Sequence, residues 1–465
     1  MTGLATDIRP GRLPIRGGLR TAAMGALAAP ARWTAPLSAF EAASGFGKQR
    51  LGSLIALLML LLLLIAGCSP TQLSGRSGDA AVSGKGTPVT RWSLAADRLG
   101  RNTANWRTMA IMHIAMHDAL NAAEPRFARW SPASRDEPVP DGASPGVAMA
   151  AAAHWVLMAR HHGEAAEDAD RLLRLARSAE PSAPAVEAGL RLGGAIGRAT
   201  VARYPEPPSS QPFPVRQGAG QWRPTPPYFE NDLVSNAMPF LFEGALVLRG
   251  PPPPRLGSPR YVADVEEVRR LGGWQSAERS SAQAEAAGFW AQQSSQRNFI
   301  HLASAMMQEQ SPDIWTQARF MSQLAAALAD SFIISWEEKR HWAVWRPVTA
   351  LNLGSEGVPA DPGWNPMFNT PPHPDYPSGH ATDCATGARV MEGFPGRLPS
   401  PVAFTAADRP DPLTRHFPDL KALANECAES RIWAGAHFRT ANEEGQRLAA
   451  LITRRALMSV PPLKR

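Results

Sequence analysis

Apolar positions recur at helical spacing along most of this chain. Across residues 102–123 they fall at Trp106, Met109, Met112, Ala115, Met116, Ala119 and Leu120, which is one face of an α-helix. The same period runs through residues 145–178, 184–203, 260–272, 276–308, 312–341 and 440–458. No run alternates β-branched residues as a half-buried strand would. The pattern predicts an all-α protein with one domain over residues 91–460. Two proline-rich connectors, 205–228 and 250–259, are too long for ordinary helix turns and are expected to wrap the surface.

The N-terminus reads differently. Lys48-Gln49-Arg50 precedes an apolar run over 51–66, short for a membrane span and bounded like an export signal. Ile65-Ala66-Gly67-Cys68 resembles a bacterial lipoprotein signal box. That resemblance implies cleavage before Cys68, a lipid on its sulfur and, with Ser69 following, outer-membrane sorting from the periplasmic face; a plain anchor helix is the alternative. Residues 1–68 are therefore leader and signal, and the small polar stretch 69–90 reads as a flexible tether. Composition leaves room for a large core, with 44% hydrophobic residues. Of the formal +7 charge, +5 sits in residues 1–50, so the body is near neutral and nucleic acid is not an expected partner. Beyond Cys68 only Cys384 and Cys427 remain; separate buried thiols are the expectation, and no zinc-type spacing exists.

Three short stretches within 339–442 carry chemistry. Lys339 is followed after six residues by Arg346-Pro347. Pro377-Ser378-Gly379-His380 opens a helix at the end of the irregular PPHPDYPSGHAT. Ser430-Arg431 is followed after five residues by His437. Two guanidiniums and an ammonium supply fixed positive charge and fork-shaped donors. Ser378 adds a hydroxyl, Gly379 allows close backbone approach, and a helix N-terminus favours an anion. With two histidines, the set suits a tetrahedral oxyanion bearing a transferable or exchangeable oxygen.

In order and spacing these stretches match the signature of the type 2 phosphatidic acid phosphatase and vanadium-dependent haloperoxidase superfamily. NWRTMAIMHIAMHDALNA, WRPTPP, RNFIHLASAMM, ALADSFIISWEEKRHWAVWRPVTAL and TPPHPDYPSGHAT resemble its secreted bacterial haloperoxidase-like branch. The resemblance covers roughly residues 90–460. It implies a helical-bundle fold with the active site in the C-terminal bundle. Lys339, Arg346 and Arg431 would neutralise the oxyanion, and Ser378 and the Gly379 N–H would hydrogen-bond it. His437 would be the axial ligand to vanadate, or the phosphoryl-accepting nucleophile of a phosphatase, and His380 the acid/base. His373 stands where bromide-oxidising members tend to carry histidine, which favours bromide over chloride. The implied reaction is halide oxidation by hydrogen peroxide with vanadate as cofactor; the runner-up is a periplasmic acid phosphatase with no cofactor.

One position departs from that signature. After His437 and three further residues the family carries an Asp that would hydrogen-bond the histidine and fix its tautomer; here Ala441 stands there. Asn442 and Glu443 follow, but each is rotated ~100° around the helix. The sequence therefore leaves open a third reading, an impaired oxyanion-binding lipoprotein. Other candidates have blander explanations. His113-x-x-x-His117-Asp118 has metal-like spacing, but its surroundings are those of a buried helix, and packing is expected. Trp342, Trp345 and Trp433 read as core and pocket wall.

Overall fold

The computed structural model describes residues 86–463, apart from 99–104, 161–163, 208–210, 226–230, 233, 235, 292 and 407–410. The signal-like run, Cys68 and residues 69–85 lie outside these. The N-terminal helices are α1 (Pro88–Arg98), α2 (Asn105–Ala123), the short α3 (Pro132–Arg135), α4 (Pro145–Arg160), α5 (Glu164–Ala179) and α6 (Ala183–Arg203). After the connectors come α7 (Pro259–Gly272), α8 (Ser281–Ala291), α9 (Ser295–Gln310), α10 (Ile314–Trp342), α11 (Pro347–Leu353), α12 (Gly379–Met391), α13 (Leu420–Trp433) and α14 (Arg439–Met458). Residues 88–90, read as the end of the tether, already belong to α1, because Thr87 and Thr90 hydrogen-bond each other's backbone and hydroxyl groups and start the helix.

Helix α10 organises the molecule. Asp313 caps it, its Oδ1 accepting from the Trp315 and Thr316 amides at 3.1 and 3.2 Å. Residues 320–336 are buried without interruption, and all but Gln323 and Asp330 among them are apolar or small. It packs on α2 at one side and on α12 and α14 at the other. The N-terminal bundle is α2, α4, α5 and α6; the C-terminal one is α10, α12, α13 and α14. Among the described residues no helix is long and apolar enough to cross a membrane.

Two features differ from the sequence reading. A hairpin of β1 (Val402–Ala406) and β2 (Leu413–Phe417) interrupts the helices, with Val402 opposite Phe417. Its inward residues Val402, Phe404 and Ala406 alternate with outward ones, and Phe404 packs on Phe299 and Trp290. Second, Cys384 and Cys427 form a disulfide joining α12 to α13. Buried thiols were expected; the sulfurs are buried but bonded. The connectors also do more than wrap the surface. Residues 220–222 pair with the α10–α11 linker, the Trp222 amide donating to Ala343 and the Trp345 amide to Gly220.

The His113/His117/Asp118 set is structural. Asp118 accepts from the Ser131 amide at 2.8 Å and the Ser134 hydroxyl at 2.6 Å, holding the chain that follows α2. No described group of His, Cys, Asp and Glu could hold a metal ion. His113 is fully buried, its Nε2 3.1 Å from Ser93 Oγ, and burial pushes its pKa down to about 3. Unfolding therefore takes up a proton between about pH 3 and 6.5. The contribution of His113 falls as pH drops through that window, by up to about 1.4 kcal/mol per pH unit. His113→Gln should flatten the pH dependence of stability. Urea unfolding of both proteins at pH 7, 6 and 5 checks this, and parallel slopes would count against it.

Candidate active site

Each motif spacing follows from how a helix ends. Helix α10 stops at Trp342, and Ala343 adopts the left-handed conformation with its amide on the Lys339 carbonyl at 2.9 Å. The linker then turns so that Arg346 stands just before α11, whose first residue is Pro347. Helix α13 ends in a Schellman motif. The Ala436 amide donates to the Arg431 carbonyl and the Gly435 amide to Ile432, both at 2.9 Å. Gly435 has φ +74°, and a Cβ there would lie 2.5 Å from the Gly272 carbonyl oxygen. This turn carries His437 back beside the start of its own motif: its amide also donates to Arg431.

The third wall is the loop 371–378 and the start of α12. Ser378 caps α12, its Oγ accepting from the Ala381 amide at 3.4 Å, so the hydroxyl proton remains available to an anion. Helix α14 lies close against it, because a Cβ at Gly445 would approach the Ser378 carbonyl oxygen to 2.8 Å. Lys339 donates to the carbonyls of Pro374, Asp375 and Pro377, fastening the loop to α10 while keeping its charge beneath the site.

The structure brings all the expected side chains together. Arg346 is fully buried. Its Nε donates to the His373 carbonyl at 2.7 Å, and Nη1 to the Ala436 carbonyl at 2.7 Å. Nη1 also lies 3.0 Å from His437 Nε2, and Nη2 lies 3.0 Å from His373 Nδ1. His373 packs on Trp336, ring centroids 4.9 Å apart. Arg431 is 4% exposed, and its Nε and Nη1 have no hydrogen-bond partner among the described residues. A buried guanidinium with unmet donors is costly unless an acceptor arrives, and beside the α12 N-terminus that acceptor is an anion.

The carboxylate missing from position 441 is supplied from elsewhere. Asp375, 1% exposed, places Oδ1 2.9 Å from His437 Nδ1. The contact is a close charge contact rather than a well-aligned hydrogen bond. Its amide donates to the Val344 carbonyl, which fixes the loop. Asn442 and Glu443 are committed elsewhere, to the Ala428 carbonyl and to Arg260. Glu429 pairs with Arg439 rather than with Arg431. Sequence reasoning missed Asp375; the available signal was an acidic residue inside the loop motif of a chain whose usual carboxylate was absent.

Arg346 Nη1 lies 3.0 Å from His437 Nε2 and 3.4 Å from Nδ1, and Asp375 Oδ1 lies 2.9 Å from Nδ1, so a lone pair on Nε2 and a proton on Nδ1 suit the two closer contacts. Burial, then Arg346, Lys339 and Arg431, hold its pKa well below the usual histidine value. Burial raises the Asp375 carboxyl to about 7 against the pull of Arg346 and Lys339. His380 is neutral for similar reasons, burial first and Arg431 next, and it hydrogen-bonds the Trp290 backbone. An anion would offset the charges that depress both histidines.

The helical bundle has the vanadium haloperoxidase fold. Residues 319–462 match the VCPO second helical-bundle domain. Over that segment the chain is similar to the vanadium haloperoxidases. The vanadium chloroperoxidase of Curvularia inaequalis is 29% identical over 167 residues, 26% of this chain and 27% of that relative. The chain thus matches about a quarter of that relative's length. Two solved bacterial proteins share the fold. A vanadium-dependent iodoperoxidase has TM-score 0.66 at 20% identity, with 83% of this chain and 97% of that one covered. A holo vanadium-dependent chloroperoxidase has TM-score 0.54 at 16% identity, with 77% and 92% covered.

Proposed function

We propose that this chain oxidises halide with hydrogen peroxide, using vanadate, and that bromide is its favoured halide. The observation that carries the reading is Arg431, buried with two unmet donors beside a helix N-terminus and an oriented histidine. The residues fit vanadate: His437 Nε2 as ligand, and Arg346, Arg431, Lys339, Ser378 and the Gly379 N–H around the oxygens. When bound, vanadate supplies a Lewis acid that activates peroxide toward halide. Asp375 keeps the proton on His437 Nδ1, leaving Nε2 to bind. His380, neutral at rest, accepts a proton from incoming peroxide and returns it as the oxidised halide leaves. His373, held by Arg346 against Trp336, forms the wall a halide would meet, and supports bromide.

The test is bromination of an activated diketone with peroxide and bromide, with and without orthovanadate. The expected result is a rate that saturates with vanadate and exceeds the rate with chloride. No rate above that of free vanadate would overturn the reading. Hydrolysis of an aryl phosphate, blocked by vanadate, would then identify a phosphatase working through His437; tight oxyanion binding with neither activity would identify a binding protein. Ile65-Ala66-Gly67-Cys68 supports export and lipid attachment at Cys68, which mass analysis of membrane-extracted protein would detect.

A further inference from the structure

A second cavity, of about 510 Å³, lies against Asp375. That volume suits a small-molecule site. Its aromatic and proline walls are Tyr261, Trp342, Trp345, Tyr376 and Phe438 with the 252–254 proline run, and Arg216, Arg255 and His341 line it as well. Lys339, Arg346, Ser378, His380, Arg431 and His437 do not line it. Asp375 lines it and also touches His437, so one carboxyl group is shared by the cavity and the oxyanion site. Ala441 lines it too, so the position that lacks the family carboxylate leaves room here.

The lining states what it would bind. Gln221 Oε1 is buried without a partner, and Asp375 Oδ1 receives no well-aligned donor. Asp264 accepts from the Thr440 amide and hydroxyl. The buried unmet lining atoms are acceptors, so a ligand that reaches them must donate, while the arginines Arg216 and Arg255 are exposed. Asp375 already lies 3.9 Å from Arg346, so a cation is not required to balance it. The aromatic walls favour a flat ring. We propose that this cavity binds a neutral aromatic molecule bearing a hydroxyl or N–H donor, and that its occupancy, acting through Asp375, changes the grip on the oxyanion at His437. Such coupling is reciprocal: vanadate alters the affinity for the aromatic by the same factor.

The experiment is equilibrium dialysis of the full-length protein with 2-naphthol and with its methyl ether, which lacks the donor. Saturable binding of one naphthol, with the ether weaker by about tenfold, is expected. Leu256→Trp, which fills the mouth of the cavity, should weaken naphthol about tenfold and leave vanadate affinity unchanged. Saturating naphthol should shift the vanadate Kd by about fivefold or more in the wild-type protein. No saturable binding, equal binding of the ether, or an unmoved vanadate Kd would each overturn the proposal. The ether comparison needs no variant, so it decides even where Leu256→Trp fails to fold. The naphthol arms need no vanadate; if vanadate itself does not bind, the oxyanion reading falls separately and the coupling is read with phosphate.

Discussion

Asp375→Ala should lower vanadate affinity and the vanadate-dependent rate by roughly 10–100-fold, the cost of removing a residue that orients a ligating histidine. The imidazole would lose the neighbour that holds its proton on Nδ1, and Nε2 would bind only in a fraction of molecules. The stronger form of the prediction is rescue. Ala441 and Asp375 line the same cavity, and Asp375 Oδ1 lies 2.9 Å from His437 Nδ1. Asp375→Ala combined with Ala441→Asp should therefore recover much of the loss, moving the carboxylate to the position the family uses. Vanadate Kd by dialysis and kcat against KM would be compared in the four proteins, with Tm as a check on folding. If Asp375→Ala leaves both Kd and rate intact, the carboxylate has no positioning role. If the loss occurs without rescue, the role depends on the loop itself rather than on a carboxylate beside Nδ1.

Arg431→Met should move function and stability in opposite directions. Its guanidinium is buried, burial lowers its pKa to about 10, and Arg346 adds repulsion. Removing an uncompensated buried charge in favour of a chain of similar volume is often stabilising, by about 1–4 kcal/mol. The same change removes donors aimed at the oxyanion and should cost about 10²–10³ in rate. The apo variant should thus melt later than the apo wild type, while added vanadate raises the Tm of the wild type only. A variant that melts earlier in the absence of oxyanion would show that Arg431 is already satisfied within the fold.

The sequence carried most of this architecture, for identifiable reasons. Helices α2, α6, α7 and α14 were legible because apolar residues recur at helical spacing, and α10 because its long middle is almost wholly apolar or small. The run 276–308 was read as one helix but is two: Ser294 occupies the cap position before α9, within a polar stretch that gives no hydrophobic break. Helix α13 was not read from periodicity, since between Leu423 and Ile432 LKALANECAESRIW buries only small residues and Arg431. The hairpin strands are five residues each, too short for an alternation to stand out. The oxyanion residues were legible because each lies at a fixed distance from a helix end, and helix ends are set locally. Asp375 was not, since its partner sits on another element and the pairing is visible only once the loop is folded.

The bond between Cys384 and Cys427 turns the chain from α12 to α13, including the hairpin, into a closed loop whose ends carry His380 and Arg431 one turn away on either side. Closing a loop with a sequence separation of 43 restricts the unfolded chain by about 4 kcal/mol on a chain-entropy basis. The segment inside that ring is thereby insulated from the site. The chain between the two strands can lengthen, shorten or change without moving His380 relative to Arg431. A tag or small domain spliced between Ala406 and Leu413 should leave the candidate site intact.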